Sequence, residues 1–230
     1  MQRLAAPAAI VVLGFALACA PVYNPAAANF AMLDKRGDLN VEGGLGVEGL
    51  QLSTAYAATD HLEVRGLAQV SRIDDNRYDH LAVGVGGYFA SPEGLRISVD
   101  YDIGPTRALG VYESTRLSGM GLKQSVSLGI GMEQPNFAIG VVSRPGLYTF
   151  WHDAQSSREG TSWMSFDETS LVLRVGSPRY KFEAQAGVWI PFEVSPDVDI
   201  GVPFPFVFGL GFSADFPTAE LREQRKQSKP

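Results

Sequence analysis

Apolar and polar residues alternate with a period of two along most of the chain beyond residue 38. The clearest segment is 95–102, where Leu95, Ile97, Val99 and Tyr101 alternate with Arg96, Ser98, Asp100 and Asp102. Such alternation predicts β-strands with one apolar and one polar face. Similar segments of about nine to twelve residues recur, a length with which a tilted strand crosses a membrane. The pattern predicts an all-β protein of about ten strands, with eight as the alternative.

The links between these segments alternate between short and long. The short ones are rich in Asp, Pro, Gly and Asn, which favour tight turns, and they cover residues 59–61, 91–94, 133–136 and 177–179. The long ones cover residues 71–79, 104–120, 144–167 and 191–203. Outer-membrane barrels have short periplasmic turns and long external loops. We therefore expect an up-and-down antiparallel transmembrane β-barrel with periplasmic termini, although the link at 47–49 is short where a long one is expected.

Alternation alone does not say which face of the strands points into the barrel. A membrane barrel turns its apolar face to lipid, whereas a lipocalin-like barrel turns it inward around a ligand. Charges of both signs on the polar face favour the membrane barrel, because they can pair within a narrow lumen. We expect Arg96 to pair with Asp100 or Glu183. The predicted lumen charge network consists of Glu63, Arg65, Arg96, Asp100, Asp102, Lys123, Arg174, Lys181 and Glu183.

Composition removes some classes of function. The chain has 230 residues and a formal net charge of -6, so no basic stripe is available to bind nucleic acid. Beyond the N-terminus, no apolar run approaches the roughly 18 residues that a membrane-spanning helix needs. If the mature chain enters a membrane, it must do so as strands.

The N-terminus has the features of a bacterial lipoprotein export signal. Arg3 precedes an apolar run over residues 4–18, and the only cysteine of the chain, Cys19, follows it. A lone cysteine in an exported protein cannot form an internal disulfide, so we expect Cys19 to carry covalent lipid. The predicted organisation is a signal peptide (1–18), a lipidated tether (19–36), a barrel domain (37–217) and a polar tail (218–230).

Several short motifs follow Cys19. They are Tyr23-Asn24-Pro25, Asn29, Lys35-Arg36-Gly37-Asp38, Ala55-Tyr56-Ala57 and Thr59-Asp60-His61. Over residues 19–62 the chain resembles a family of small outer-membrane β-barrel lipoproteins of Gram-negative bacteria. The resemblance implies a protein of the outer membrane and no established activity. The polar tail after Phe216 departs from the many such barrels that end at an aromatic residue.

Candidate chemistry is sparse. The three histidines are His61 in a turn, His80 at the start of a strand, and His152 in the longest predicted loop, near Ser156 and Ser157. Asp74, Asp75, Asn76 and Asp79 do not have the spacing of a calcium loop. We expect no catalytic site, metal or cofactor.

The leading functional prediction is a lipid-anchored outer-membrane barrel with a structural or interaction role, a side-chain-filled lumen and no open pore. Its expected partners are membrane lipid and a protein bound through the external loops. The two alternatives are a periplasmic lipocalin-like carrier of a hydrophobic ligand and an outer-rim hydrolase that uses His152.

Overall fold

The computed structural model describes residues 30, 33, 35–46, 49–73, 76–112, 115–154, 160–194 and 206–216. The predicted signal peptide, Cys19, most of the tether and the polar tail lie outside these described residues.

The described residues form one closed antiparallel barrel in which each strand pairs with its neighbours in sequence and the first pairs with the last. The strands are β1 (Leu39–Gly46), β2 (Gly49–Ala57), β3 (Leu62–Ile73), β4 (Asn76–Ala90), β5 (Leu95–Tyr112), β6 (Thr115–Gln134), β7 (Phe137–Ala154), β8 (Gly160–Gly176), β9 (Tyr180–Val194) and β10 (Phe206–Phe216). The predicted ten-stranded up-and-down barrel is confirmed, and the eight-stranded alternative is wrong.

The barrel has two distinct ends. The tight turns at 58–61, 91–94, 135–136 and 177–179 lie at the end where β1 starts and β10 finishes, which we term the turn end. At the opposite loop end, β3 joins β4, β5 joins β6, β7 joins β8 and β9 joins β10. At the turn end Gly94 has a φ of 94°, a conformation that favours glycine, and its amide bonds to the Ser91 carbonyl at 3.0 Å.

The structure corrects the prediction of long loops at the loop end, because strands continue into these segments. β5 continues to Tyr112 and β6 resumes at Thr115, while β7 continues to Ala154 and β8 resumes at Gly160. The sequence pattern predicts loops in these extensions because some of their apolar residues lie at inward-facing positions, where the lower strands carry polar residues. Tyr148, Phe150 and Phe166 point into the barrel, so the outward apolar pattern of the lower strands stops there.

The barrel wall is uneven in height. β1 has 8 residues and β2 has 9, whereas β6 has 20. Inside the tall side lies a buried apolar cluster of Tyr78, Ala108, Tyr148, Phe150, Met164, Phe166, Trp189 and Val207. None of the described residues of β1, β2 or β3 belongs to this cluster. In the described part of the chain, no helix is long and apolar enough to cross a membrane.

Candidate functional site

The outer surface of the barrel is apolar over most of its height. Leu81, Leu210 and Phe182 are 61%, 73% and 74% exposed, and apolar side chains on every strand repeat this pattern. The outward-facing charges of Arg72, Arg77, Asp79 and Arg107 lie toward the loop end, while the outward-facing Asp167 accepts hydrogen bonds from the hydroxyl groups of Ser143 and Thr169. A continuous apolar surface of this extent is unfavourable in water and suits the lipid-facing band of a membrane barrel. The chain is a membrane β-barrel.

The residues that alternate with the outward apolar ones point into the barrel, and many of them are charged. At the centre of one group is Arg174 on β8, which is 1% exposed and lies directly opposite Glu183 on β9. Its Nε contacts the Glu183 carboxylate at 2.6 Å, and its Nη2 pairs with Glu42 of β1. One guanidinium therefore connects three strands by charge-assisted hydrogen bonds.

A second group lies in the lumen near the turn end. Lys181 Nζ contacts Glu133 at 3.1 Å and Asp215 at 3.0 Å, and Arg96 Nε contacts Glu133 at 3.3 Å. Asn40 donates to Asp215 at 2.7 Å. The expectation that Arg96 pairs with Asp100 or Glu183 is not met, since among the described carboxylates Arg96 contacts Glu133 on the neighbouring strand.

The third group is built around Arg65 on β3. Its Nη1 lies 2.6 Å from Asp100 and 4.0 Å from Asp102, and its Nε lies 3.6 Å from Glu63. The carboxylates of Asp100 and Asp102 occupy space opposite glycines of β4. The sequence prediction placed all four of these residues in the lumen, and the structure brings them together.

A fourth group lies closer to the loop end, below the apolar cluster. The Glu168 carboxylate is shared by Lys123 at 2.9 Å and Arg144 at 3.2 Å. The Lys123 ammonium also lies 5.0 Å from the ring centroid of Phe166, within the range of a cation–π contact. This group joins the ionic lumen to the apolar cluster above it.

Five charged members of these groups are absent from the predicted lumen network. One of them, Glu42, lies on the polar face that the alternation predicts for the first strand. The pattern places Glu133 in a turn, Arg144 in a loop and Glu168 at the edge of that loop, and it places Asp215 in the last strand without a partner. A signal was present for Glu168, because it continues the inward alternation of Ser170, Val172 and Arg174. A further unpredicted feature is the burial of Phe30 and Leu33 inside the barrel, although both precede β1.

The remaining candidate residues are dispersed. His61 lies in a turn, and His80 faces the lumen in β4. His152 lies in β7, opposite Gly119 and Gly160, and its side chain is outside the described residues. Of the four possible calcium ligands, Asp79 instead pairs with Arg72 at 2.7 Å and Arg77 at 3.0 Å. Among the described residues there is no group of His, Cys, Asp or Glu suited to a metal ion.

No protein-family model and no curated protein matches the chain. Among solved structures, the chain is similar to the N-terminal β-barrel domain of Pseudomonas aeruginosa OprF, with 13% identity and a TM-score of 0.36 over 79% of this chain and 99% of that one. It is also similar to the Acinetobacter baumannii outer membrane protein Omp33, with 10% identity and a TM-score of 0.33 over 81% and 100% of the chains. The β domain of the Bordetella autotransporter BrkA gives 12% identity and a TM-score of 0.32, over 77% and 98% of the chains.

Proposed function

We propose that the protein is a lipid-anchored outer-membrane β-barrel with a structural or interaction role, whose lumen is closed by its own side chains. The observation that carries this proposal is the Arg174 group. A guanidinium that pairs with Glu42 and Glu183 crosses the lumen between β8 and β1, where a pore would require free space.

Two further features support a closed lumen. Lys181 bridges β9 to Glu133 on β6, so a second ion pair crosses the interior near the turn end. At the loop end, the buried aromatic cluster fills the tall side of the barrel. In narrow barrels, side chains alone can fill the interior. We therefore expect the intact protein to conduct no ions.

The geometry is compatible with lipid on Cys19. Eleven residues of extended chain reach roughly 35 to 40 Å, so Cys19 can lie well outside the barrel although Phe30 is buried at the turn end. β1 and β10 also begin and finish at that end, where Leu39 pairs with Phe216. With the turn end in the periplasm, the lipid reaches the periplasmic leaflet of the same membrane.

The loop end is the part we assign to interaction with a partner. Outward-facing charges concentrate there, including the network of Arg72, Arg77 and Asp79 on β3 and β4. The extended hairpins raise this surface above the apolar band. The proposed role is contact with another protein outside the cell, and it requires no catalytic group.

The anchoring is tested by metabolic labelling with a radioactive fatty acid. Cys19→Ser should remove the label and leave an unprocessed precursor, because no other residue of the chain carries a thiol. Asn24→Ser, a substitution in the same tether, is the matched control and should retain the label. Equal labelling of the Cys19→Ser variant would remove lipid attachment from the proposal.

A further inference from the structure

The outer surface of β6, β7 and β8 carries exposed apolar side chains close to the loop end. Met120, Trp151 and Trp163 are 62%, 48% and 39% exposed. Met120 lies directly opposite Trp151. Trp163 lies opposite Thr149, which precedes Trp151 by two residues on the same side of β7. The three large side chains therefore form one patch, which we call the aromatic face.

The aromatic face lies above the level at which the lipid band ends. A strand tilted by about 40° rises roughly 2.5 Å per residue along the barrel axis, so an apolar band about 25 Å tall ends about ten residues from the turn end. The outward-facing Asp167 and Gln124 lie near that level, nine and ten residues from the turn-end termini of β8 and β6. The aromatic face lies 13 to 14 residues from the turn end, which is roughly 10 Å higher.

This level favours contact with protein over contact with lipid. The aromatic girdle of a membrane barrel lies at the edge of the apolar band, which here is the level of Asp167. Apolar side chains beyond that edge are unfavourable in water unless a partner covers them. Tryptophan is also enriched among the residues that dominate the energy of protein interfaces.

Charges of opposite sign flank the aromatic face. On β5, Arg107 lies directly opposite Met120. On β9, Glu193 lies opposite Ser165, two residues from Trp163. Arg107 and Glu193 are both exposed. They lie 12 and 13 residues from the turn-end starts of their strands, and thus at nearly the same level.

We propose that the aromatic face binds a second copy of this chain in the same membrane, as a two-fold symmetric dimer. Copies inserted in the same direction can be related only by an axis along the membrane normal, and such an interface uses the same patch on both subunits. With the axis beside β7, β6 of one copy faces β8 of the other, and β5 faces β9. This inference goes beyond the proposed function. It depends neither on lipid at Cys19 nor on which end of the barrel lies outside the cell.

The apolar side chains are complementary in this arrangement. Trp151 meets the partner's Trp151 near the axis, and Met120 faces the partner's Trp163 at nearly the same level. Paired aromatic rings and contacts between a thioether sulfur and a ring are both favourable beyond the area that they bury. The dimer thus removes the exposed apolar side chains of both copies from water.

The polar side chains are complementary in the same arrangement. Arg107 faces the partner's Glu193, while Asp79, its opposite neighbour within the chain, already shares its carboxylate between two other arginines. Nearer the lipid, the amide of Gln124 faces the partner's Asp167, a donor opposite an acceptor. Because the pairs match in both sign and level, the pattern favours a second copy over an unrelated protein.

The arrangement is tested by crosslinking the full-length protein in bilayers, in a Cys19→Ser background that leaves one introduced thiol. Thr149→Cys places that thiol on the outer side of β7, and a bismaleimide that spans about 10 Å covers the spacing of packed sheets. Leu50→Cys, exposed on β2 at the opposite side of the barrel, is the control. We expect a crosslinked dimer from Thr149→Cys alone. Equal crosslinking at both positions, or none at either, would overturn the proposal.

Exchange of the flanking charges tests the pairing across the axis. Arg107→Glu and Glu193→Arg should each weaken association about tenfold, because two like-charge contacts replace two ion pairs. The two changes together should restore association. Energy transfer between copies labelled at Leu50→Cys, followed as the protein is diluted in lipid, measures the dissociation constant. A double variant no tighter than the single variants would overturn the arrangement.

Removal of the two rings separates a dimer contact from an interfacial girdle. Trp151→Ala with Trp163→Ala should weaken association by more than about tenfold and leave a folded, heat-modifiable barrel, because both side chains are exposed. Phe208→Ala, which removes a ring from the lipid-facing surface, should change neither property. Undiminished association in the double variant would overturn the proposal. Failure of that variant to fold would also overturn it, because the rings would then stabilise the single barrel.

Discussion

Gly86 on β4 lies directly opposite Asp100 on β5, and the carboxylate of Asp100 occupies the space that a side chain at Gly86 would fill. Gly84 and Asp102 repeat the arrangement two residues away. The glycines of β4 thus make room for carboxylates that Arg65 binds from β3. These glycines therefore provide space for charged side chains in the lumen, and they form neither a turn nor a phosphate-binding loop.

Gly86→Ala should destabilise the barrel. The new methyl group collides with the Asp100 carboxylate and with the backbone of β5, where the Val99 carbonyl lies 2.8 Å from the position that the Cβ atom would occupy. Overpacking of this kind costs about 1 to 3 kcal/mol. The free energy of unfolding in detergent, measured by denaturant titration, checks the value. Gly87→Ala, one residue away on the outer face, is the control, and an equal loss in both variants would contradict the account.

Arg174→Met should cause a larger loss of stability. It leaves the Glu42 and Glu183 carboxylates buried together without their shared cation, and breaking such a group costs about 3 to 5 kcal/mol. The measurement is again the free energy of unfolding in detergent. Arg107→Gln, at an outward-facing and exposed position, should change it by less than about 0.5 kcal/mol.

The charge explanation for Arg174 can be separated from a simple loss of packing. Adding Glu42→Gln and Glu183→Gln to Arg174→Met removes the stranded charges while it keeps the shape of both side chains. Because neutral replacement of a complete buried ion group is often tolerated, most of the lost stability should return. A triple variant as unstable as the single variant would show that electrostatics does not set the cost.

Ile97→Arg should be costly in a bilayer. Ile97 faces outward on β5 between Phe89 and Ile130 of the neighbouring strands, within the apolar band. Ile97 is two residues from the turn-end start of β5, so the cost should lie between the ~0 to 1 kcal/mol of an arginine at the membrane interface and the ~2 to 4 kcal/mol of one near the middle of the membrane. Folding into lipid vesicles, followed by the denaturant dependence of gel migration, measures this cost. Ile97→Leu should be neutral, and an arginine variant as stable as the leucine variant would place this surface outside the lipid.

The proposed orientation predicts which protease sites are accessible on whole cells. Arg158 belongs to the connection between β7 and β8 at the loop end, whereas Arg179 belongs to the turn before β9. Trypsin added outside should cleave after Arg158 and spare Arg179 until the outer membrane is opened. Fragment masses distinguish the two cuts, and the opposite order would invert the barrel in the membrane.

The sequence predicted the strands well where lipid imposes a constant outer environment. Leu95, Ile97 and Val99 must be apolar there, so the period of two is clear. At the loop end, the outward-facing residues no longer have to be apolar. Tyr148, Phe150 and Phe166 turn inward, and the alternation no longer matches the lower strands. The strands therefore continue into segments where the pattern predicts loops.

The lumen residues could be predicted from the polar face, but their partners could not. The pair Arg96 and Glu133 depends on the register in which Arg96 lies opposite Gly131, and alternation does not fix that register. The burial of Phe30 inside the barrel was still harder to predict, because the sequence around this residue has no periodicity. Only the inward glycines at 129, 131 and 140 indicate its presence, and they become meaningful once the strands are placed around it.

The central claim is that the apolar face of the strands contacts lipid while the polar face is buried inside. It is tested most directly by nitroxide labels attached to single cysteines at each position from 96 to 101, in a Cys19→Ser background reconstituted into bilayers. Labels at 97, 99 and 101 should show high collision rates with oxygen, and labels at 96, 98 and 100 should show low rates, with a period of two. High oxygen accessibility at the even positions, or no alternation at all, would contradict the account.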